Sequence, residues 1–210
     1  MKSVLIANPK GGCGKTTIAT NLAAAFANGG LPTALADTDH QRSSLDWLAN
    51  RPDHAAPILG LDWSKRIKAP PESVTRLVVD SAAALDKSHL RDLVRSVDTV
   101  IIPVLPSAFD VSATTAFLRA FTDLKPIRKH KKPFALVRNR CRVGSRAARR
   151  LDGFMVMSEV VDVGWLTDRS LYNEVAWQGL SVFDLETKRA VEIQQDWIPI
   201  VRFVENQGSL

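Results

Sequence analysis

The residue types best able to do chemistry fall in Lys10-Gly11-Gly12-Cys13-Gly14-Lys15-Thr16-Thr17, where three glycines, two lysines and two hydroxyls share eight positions. Glycines at 11, 12 and 14 let a backbone curl closely around something. Successive N–H groups then point into the turn, and a helix beginning at Thr16 adds the positive end of its dipole. That arrangement suits phosphate: Lys15 supplies a point charge for β- and γ-phosphates, and the Thr16 hydroxyl suits magnesium. Gly11, Gly12, Cys13, Gly14, Lys15, Thr16 and Thr17 are therefore candidate nucleotide-binding residues. Two acidic positions follow apolar runs farther on, Asp37-Thr38-Asp39-His40-Gln41 and Asp80. Asp37 and Asp80 join Thr16 as candidate metal-binding residues. The paired aspartates could also form a turn or helix cap, and Ser43 or Ser44 could start the helix after them.

These groups need elements that bring them together. Val4 to Ala7 is too short for a helix and reads as a strand buried on both faces. A helix runs from Thr16 to Asn28, with Leu22, Ala25 and Phe26 facing inward, and Gly29-Gly30 ends it. Strands are expected at Thr33 to Asp37, Arg76 to Asp80, Thr99 to Val104, Phe134 to Asn139 and Val160 to Val163. Helices are expected at Ser44 to Asn50, Lys87 to Ser96, from Ser107 or Asp110 to Leu124, at Ser145 to Phe154, and at Thr187 to Asn206. Residues 51–71, with four prolines, read as a connection over one face, with Trp47 and Trp63 packed. Alternating strands and helices imply an α/β fold, a doubly wound and mainly parallel sheet flanked by helices, in a single domain spanning 1–210. In such sheets ligands lie beyond the carboxyl ends of the strands, so Asp37 and Asp39 land beside the phosphates.

Composition is ordinary for a globular chain, 45% hydrophobic and 24% charged. The longest apolar run, near Val100 to Leu105, is far short of a membrane span. Met1-Lys2 leads straight into the first strand, so no signal peptide is expected. Cys13 and Cys141 lack metal-site spacing and point to a reducing, cytoplasmic setting. Net charge is +6, yet residues 125–150 alone hold eleven Lys and Arg and no acid. Such a concentration fits a polyanion-binding patch, although a solvated face would carry charge as well. Arg146, Arg149 and Arg150 fall on one helix face. With Lys131, Lys132 and Arg142 they are the candidate DNA-binding residues, expected to act on the backbone without reading sequence.

The loop departs from G-x-x-x-x-G-K-[ST], since Pro9 replaces the first glycine and Lys10 adds a second lysine. It resembles the deviant Walker A box of the ParA/MinD family of P-loop ATPases. Arg76-Leu-Val-Val-Asp80 resembles a Walker B strand, and Pro103-Val-Leu-Pro-Ser-Ala-Phe-Asp110 resembles a segment that borders the nucleotide and the dimer seam. The resemblance implies a fold of the P-loop NTPase class and a weak magnesium-dependent ATPase with ATP and Mg2+ as cofactors. Lys10, Lys15 and Asp39 would be catalytic, Lys10 reaching the partner's nucleotide and Asp39 orienting water. Lys10, Pro106 and Asp110 would border the seam of an ATP-bound homodimer. Asn139 would touch adenine, with Arg140 beside it; Arg142 stands where guanine readers carry an aspartate. The implied function is positioning or segregating a cargo on non-specific DNA, in the cytoplasm at the nucleoid. Stimulation would come from a ParB-like or cargo-adaptor protein with a basic segment. No membrane is expected as a partner, since the last helix offers only Arg202 as a late cation and contains Pro199. A MinD-like membrane-surface ATPase and a metabolic P-loop synthetase are the alternatives.

Overall fold

Apolar runs without alternation, such as Val4–Ala7 and Leu77–Val79, suit strands covered on both faces, as in a parallel sheet, and that is where they lie. The computed structural model describes residues 1–129 and 131–208. Among these residues the strands are β1 (Lys2–Ile6), β2 (Thr33–Asp37), β3 (Ile58–Asp62), β4 (Arg76–Asp80), β5 (Thr99–Val104), β6 (Phe134–Cys141) and β7 (Val161–Thr167). They form one sheet in the order β3-β2-β4-β1-β5-β6-β7, with every pairing parallel. The chain leaves β1 first toward β2, β3 and β4, and then on the other side toward β5, β6 and β7. A crevice at the carboxyl end of β1 follows from that reversal.

The helices are α1 (Lys15–Asn28), α2 (Ser43–Ala49), α3 (Lys87–Ser96), α4 (Ala108–Thr122), α5 (Lys125–Arg128), α6 (Arg146–Ser158), α7 (Leu171–Ala176), α8 (Lys188–Gln195) and α9 (Ile198–Glu205). Leu5, Val79, Val100 and Ile102 meet Leu93 of α3, Leu118 and Phe121 of α4, and Leu151 of α6 on one face of the sheet. Their strand neighbours Val4, Ile6, Val78 and Ile101 point the other way, onto Leu22 and Phe26 of α1 and Phe203 of α9. The period of two along each strand thus divides a continuous apolar run between two cores.

Several boundaries differ from the sequence reading. Residues 51–71 are not all connection, because Ile58–Asp62 pairs with β2 as an edge strand. Its half-exposed face and the surrounding prolines hide the strand signal. The final helix is two, with a break at Asp196-Trp197 and Pro199 in the first turn of α9, where a missing N–H costs nothing. Strand β6 continues to Cys141 and β7 to Thr167, pairing through irregular register shifts. As expected, the last helix packs on the core. Ile200 and Phe203 are fully buried, and Glu205 pairs with Lys2 at 3.0 Å and Arg76 at 2.6 Å. Among the described residues no helix is long and apolar enough to cross a membrane.

Candidate nucleotide-binding site

The loop between β1 and α1 is braced from behind by two amides. Asn8 donates to the Pro103 carbonyl at 2.7 Å and to the Thr114 hydroxyl at 3.2 Å, while its own oxygen accepts from the Lys10 N–H at 2.9 Å. Strand β1 pairs with β5 only as far as Ile101, so Asn8 satisfies a carbonyl that the ladder leaves open. Asn139, at the end of β6, donates to the Cys13 carbonyl at 2.8 Å. A side chain on Gly14 would come within 2.1 Å of that amide, and Gly14 has a φ of +94°. Glycine is required there twice over, by backbone conformation and by the close approach.

Lys15 opens α1 and is buried, with its ammonium 3.1 Å from the Lys10 carbonyl across the loop. Cys13 is buried, and desolvation raises its thiol pKa above the ordinary value against the pull of Lys15. Thr16 and Thr17 are half-buried, whereas Gly11 and Gly12 are exposed. The Thr16 hydroxyl lies near enough to the Asp80 carboxylate to favour its charged form. Asp80 itself is buried, and its Oδ1 has no partner among the described residues. Burial pushes this carboxyl up to about 7, helped by Asp37 and Asp39 and opposed by Thr16 and Lys15.

The structure brings the first strand, the loop, Thr16 and Asp80 together as the sequence suggests, but it uses some residues differently. Both oxygens of Asp37 are engaged. One accepts from the Asp39 N–H at 2.9 Å, and the other accepts from the N–H and hydroxyl of Ser44 at 2.9 and 2.6 Å. Asp37 therefore anchors the start of α2. The Asp39 carboxylate accepts from the Gln41 N–H at 2.9 Å and is half-buried. Lys10 turns back within its own chain, its ammonium 2.5 Å from buried Asp110. The Ser107 hydroxyl shares that carboxylate and also caps α4. Pro106 is the central residue of the turn before it, closed by the Ser107 N–H donating to the Leu105 carbonyl at 2.8 Å.

Asn139 is buried behind the loop, where its amide holds backbone, and Arg140 is exposed with a φ of +51°. The bracing role of Asn8 is absent from the sequence reading, although the Asn8-Pro9 pair marks a turn. The segment after β4 is tied in as well. The N–H of Ala82 donates to the Thr38 hydroxyl at 2.9 Å, and that of Ala84, at a φ of +52°, donates to the Pro9 carbonyl at 3.0 Å.

The basic stretch is not one patch. Lys131 and Lys132 lie at the start of β6, and Arg142 and Arg146 lie beyond its end, some 25 Å away at about 3.3 Å per residue. The Lys132 ammonium is bonded to the Val97 carbonyl. Arg138 pairs with Asp152 and Asp162 and lies over Trp165. Arg146, Arg149 and Arg150 are exposed on α6, and Arg142 is exposed 3.3 Å from Asp168.

Residues 4–173, most of the chain, match the family model described as the CobQ/CobB/MinD/ParA nucleotide binding domain. The chain belongs to the ParA/MinD family of P-loop ATPases. Among curated relatives of this ParA/MinD chain, the maintenance of carboxysome distribution protein A of Halothiobacillus neapolitanus is 31% identical over 193 residues, covering 87% of each chain. A protein of the same name from Gloeobacter kilaueensis is 35% identical over 118 residues, covering 52% of this chain and 51% of its own. Among solved structures, apo McdA from Cyanothece superposes with a TM-score of 0.76 at 15% identity, covering 99% of both chains. MinD from Aquifex aeolicus gives 0.75 at 17% identity, covering 98% of this chain and 97% of its own. At those identities the structures speak for the fold, and the shared fold is that of the ParA/MinD proteins.

Proposed function

We propose that the chain is an ATP-hydrolysing, dimerising protein that uses non-specific DNA as a track to position a cargo. The observation that carries the nucleotide part is the Thr16–Asp80 pair below the loop, with the buried Asp80 Oδ1 left unpaired. An orphaned, buried carboxylate oxygen next to a hydroxyl and a phosphate cradle is what a magnesium site with ATP requires of the protein. The residues fit the metal: Thr16 and Asp80 would hold magnesium, which would neutralise charge on the phosphates. Asp37 contributes by anchoring α2, so its role is positioning. Gly11 to Thr17 bind the phosphates through backbone N–H groups and the Lys15 charge. Asp39, beyond the carboxyl end of β2, orients the water that converts ATP to ADP and phosphate.

Dimerisation depends on Lys10. Held by Asp110 in the single chain, it exchanges that carboxylate for the partner's nucleotide when two chains close face to face, with Pro106 and Asp110 at the seam. Closure is linked to ATP because the triphosphate is what rewards the exchange. Arg142, Arg146, Arg149 and Arg150 then bind phosphate backbones, and a partner with a basic segment stimulates hydrolysis. The name of the Halothiobacillus neapolitanus relative makes carboxysomes the cargo to test first.

The DNA part is tested by fluorescence anisotropy with labelled duplex across a salt series. With ATP, log affinity should fall linearly with log salt, and the Arg146→Glu/Arg149→Glu variant should lower both affinity and slope by about two counterions' worth. Unchanged binding in that variant would remove α6 from the account.

A further inference from the structure

Helices α4 and α6 follow neighbouring strands and cover the same face of the sheet, yet they leave a groove between them. Its cavity is about 710 Å3, with Val111, Leu118, Phe154 and Met157 among its apolar lining. A second hollow of about 350 Å3 continues it toward Pro106 and is lined in common by Val111 and Arg150. Met157 is 85% exposed here. Methionine is flexible and polarisable, which lets such a surface adapt to an inserted apolar side chain.

The rim is charged with one sign. Arg119 on α4 and Arg150 on α6 both line the groove and are exposed, and no acidic residue lines either hollow. Neither guanidinium forms an ion pair among the described residues. A DNA phosphate would use the two arginines but gains nothing from the apolar floor between them. An amphipathic helix uses both, laying an apolar stripe between α4 and α6 and setting carboxylates against the rim. From Val111 to Thr122 the α4 wall is roughly 17 Å long at 1.5 Å per residue, about three helical turns.

We propose that the α4–α6 groove docks an acidic amphipathic helix of a protein partner. This surface is distinct from the nucleotide loop and of opposite charge preference to the basic partner proposed above, and it does not rest on that reading. Because Arg150 belongs to both, a docked helix would compete with DNA at α6.

The probe is a fluorescein-labelled peptide of about 18 residues, five helical turns, with leucine at i, i+3, i+4 and i+7 spacing and glutamate elsewhere. Anisotropy with the full chain should saturate, and a scrambled peptide of equal composition should bind about tenfold more weakly, about 1.4 kcal/mol. Met157→Glu and Arg119→Glu should each produce a loss of similar size. A peptide with lysine in place of glutamate should bind Arg119→Glu better than it binds the parent chain. Both residues are exposed, and melting temperatures equal to the parent's check that the variants fold; Arg119→Glu decides if Met157→Glu does not. Equal affinity of parent and folded variants for the peptide would overturn the proposal. So would a self-association without ATP that Met157→Glu abolishes, which would give the groove to a second copy. Loss of duplex binding in Met157→Glu with peptide binding intact would give it to DNA and overturn the proposal too.

Discussion

Gly14 and Asn139 meet so closely that the phosphate loop and the end of β6 form one piece of structure. Family resemblance puts Asn139 against the adenine ring, whereas its amide is engaged with the Cys13 carbonyl. The two roles separate cleanly in nucleotide titrations. Asn139→Ala should weaken ATP and GTP by the same factor, about tenfold, because one buried hydrogen bond and a filled space are lost from the loop itself. A change in the ratio of ATP to GTP affinity would instead make Asn139 a reader of the base. Asp80 gives a second residue-scale expectation. Its carboxyl has an ordinary value of 3.8 and titrates at about 7 in the fold. Between those values the folded chain binds more protons than the unfolded chain, so its stability falls as pH rises from about 4 to about 7. In urea melts without nucleotide, Asp80→Asn should be more stable than the parent at pH 8, by on the order of 4 kcal/mol. The difference should vanish toward pH 4. The loop with Lys15 and Thr16 is legible in the sequence because its spacing is local, and Asp80 because it ends an apolar, strand-length run. The uses of Asn139 and Asp37 are not, because each depends on a side-chain contact that spacing alone does not reveal.

Among the elements, the central strands could be read from unbroken apolar runs, and their ends agree closely with the structure at residues 33–37, 76–80 and 99–104. Strand β3 escaped because an edge strand with a wet face lacks that run. The connection before it is held by a contact equally invisible in sequence. Arg51, just past α2, pairs at 2.6 Å with Asp184, and both side chains are 4% exposed. Asn28 and Ser181 bond the same carboxylate at 2.8 Å. Asp184→Ala would strand a buried guanidinium, and its expected cost in chemical denaturation is about 3–5 kcal/mol. The Arg51→Ala/Asp184→Ala double variant should lose less than the sum of the singles, since the two share one interaction. The basic run at 125–150 teaches a related lesson about elements. Adjacent in sequence, its ends are separated by the length of β6, so the residues beyond Cys141 and on α6 can act together but not with those before Phe134.

For the whole molecule, the seven-stranded parallel sheet places the phosphate loop at the reversal point beside β4 and β5, where Asp80, Asn8 and Asp110 converge. In the proposed dimer, Lys10 is the part of this assembly whose place depends on a second chain. In one chain it rests on Asp110, and in the proposed dimer it faces the partner's nucleotide. The most direct measurement is multi-angle light scattering of the full chain with magnesium and either ATP or ADP. The parent should have twice the mass of one chain with ATP and the mass of one chain with ADP. Asp39→Ala should hold the double mass, whereas Lys10→Ala and Lys15→Ala should remain single with either nucleotide. A parent chain that stays single at saturating ATP, or a Lys10→Ala variant that dimerises as the parent does, would contradict the account.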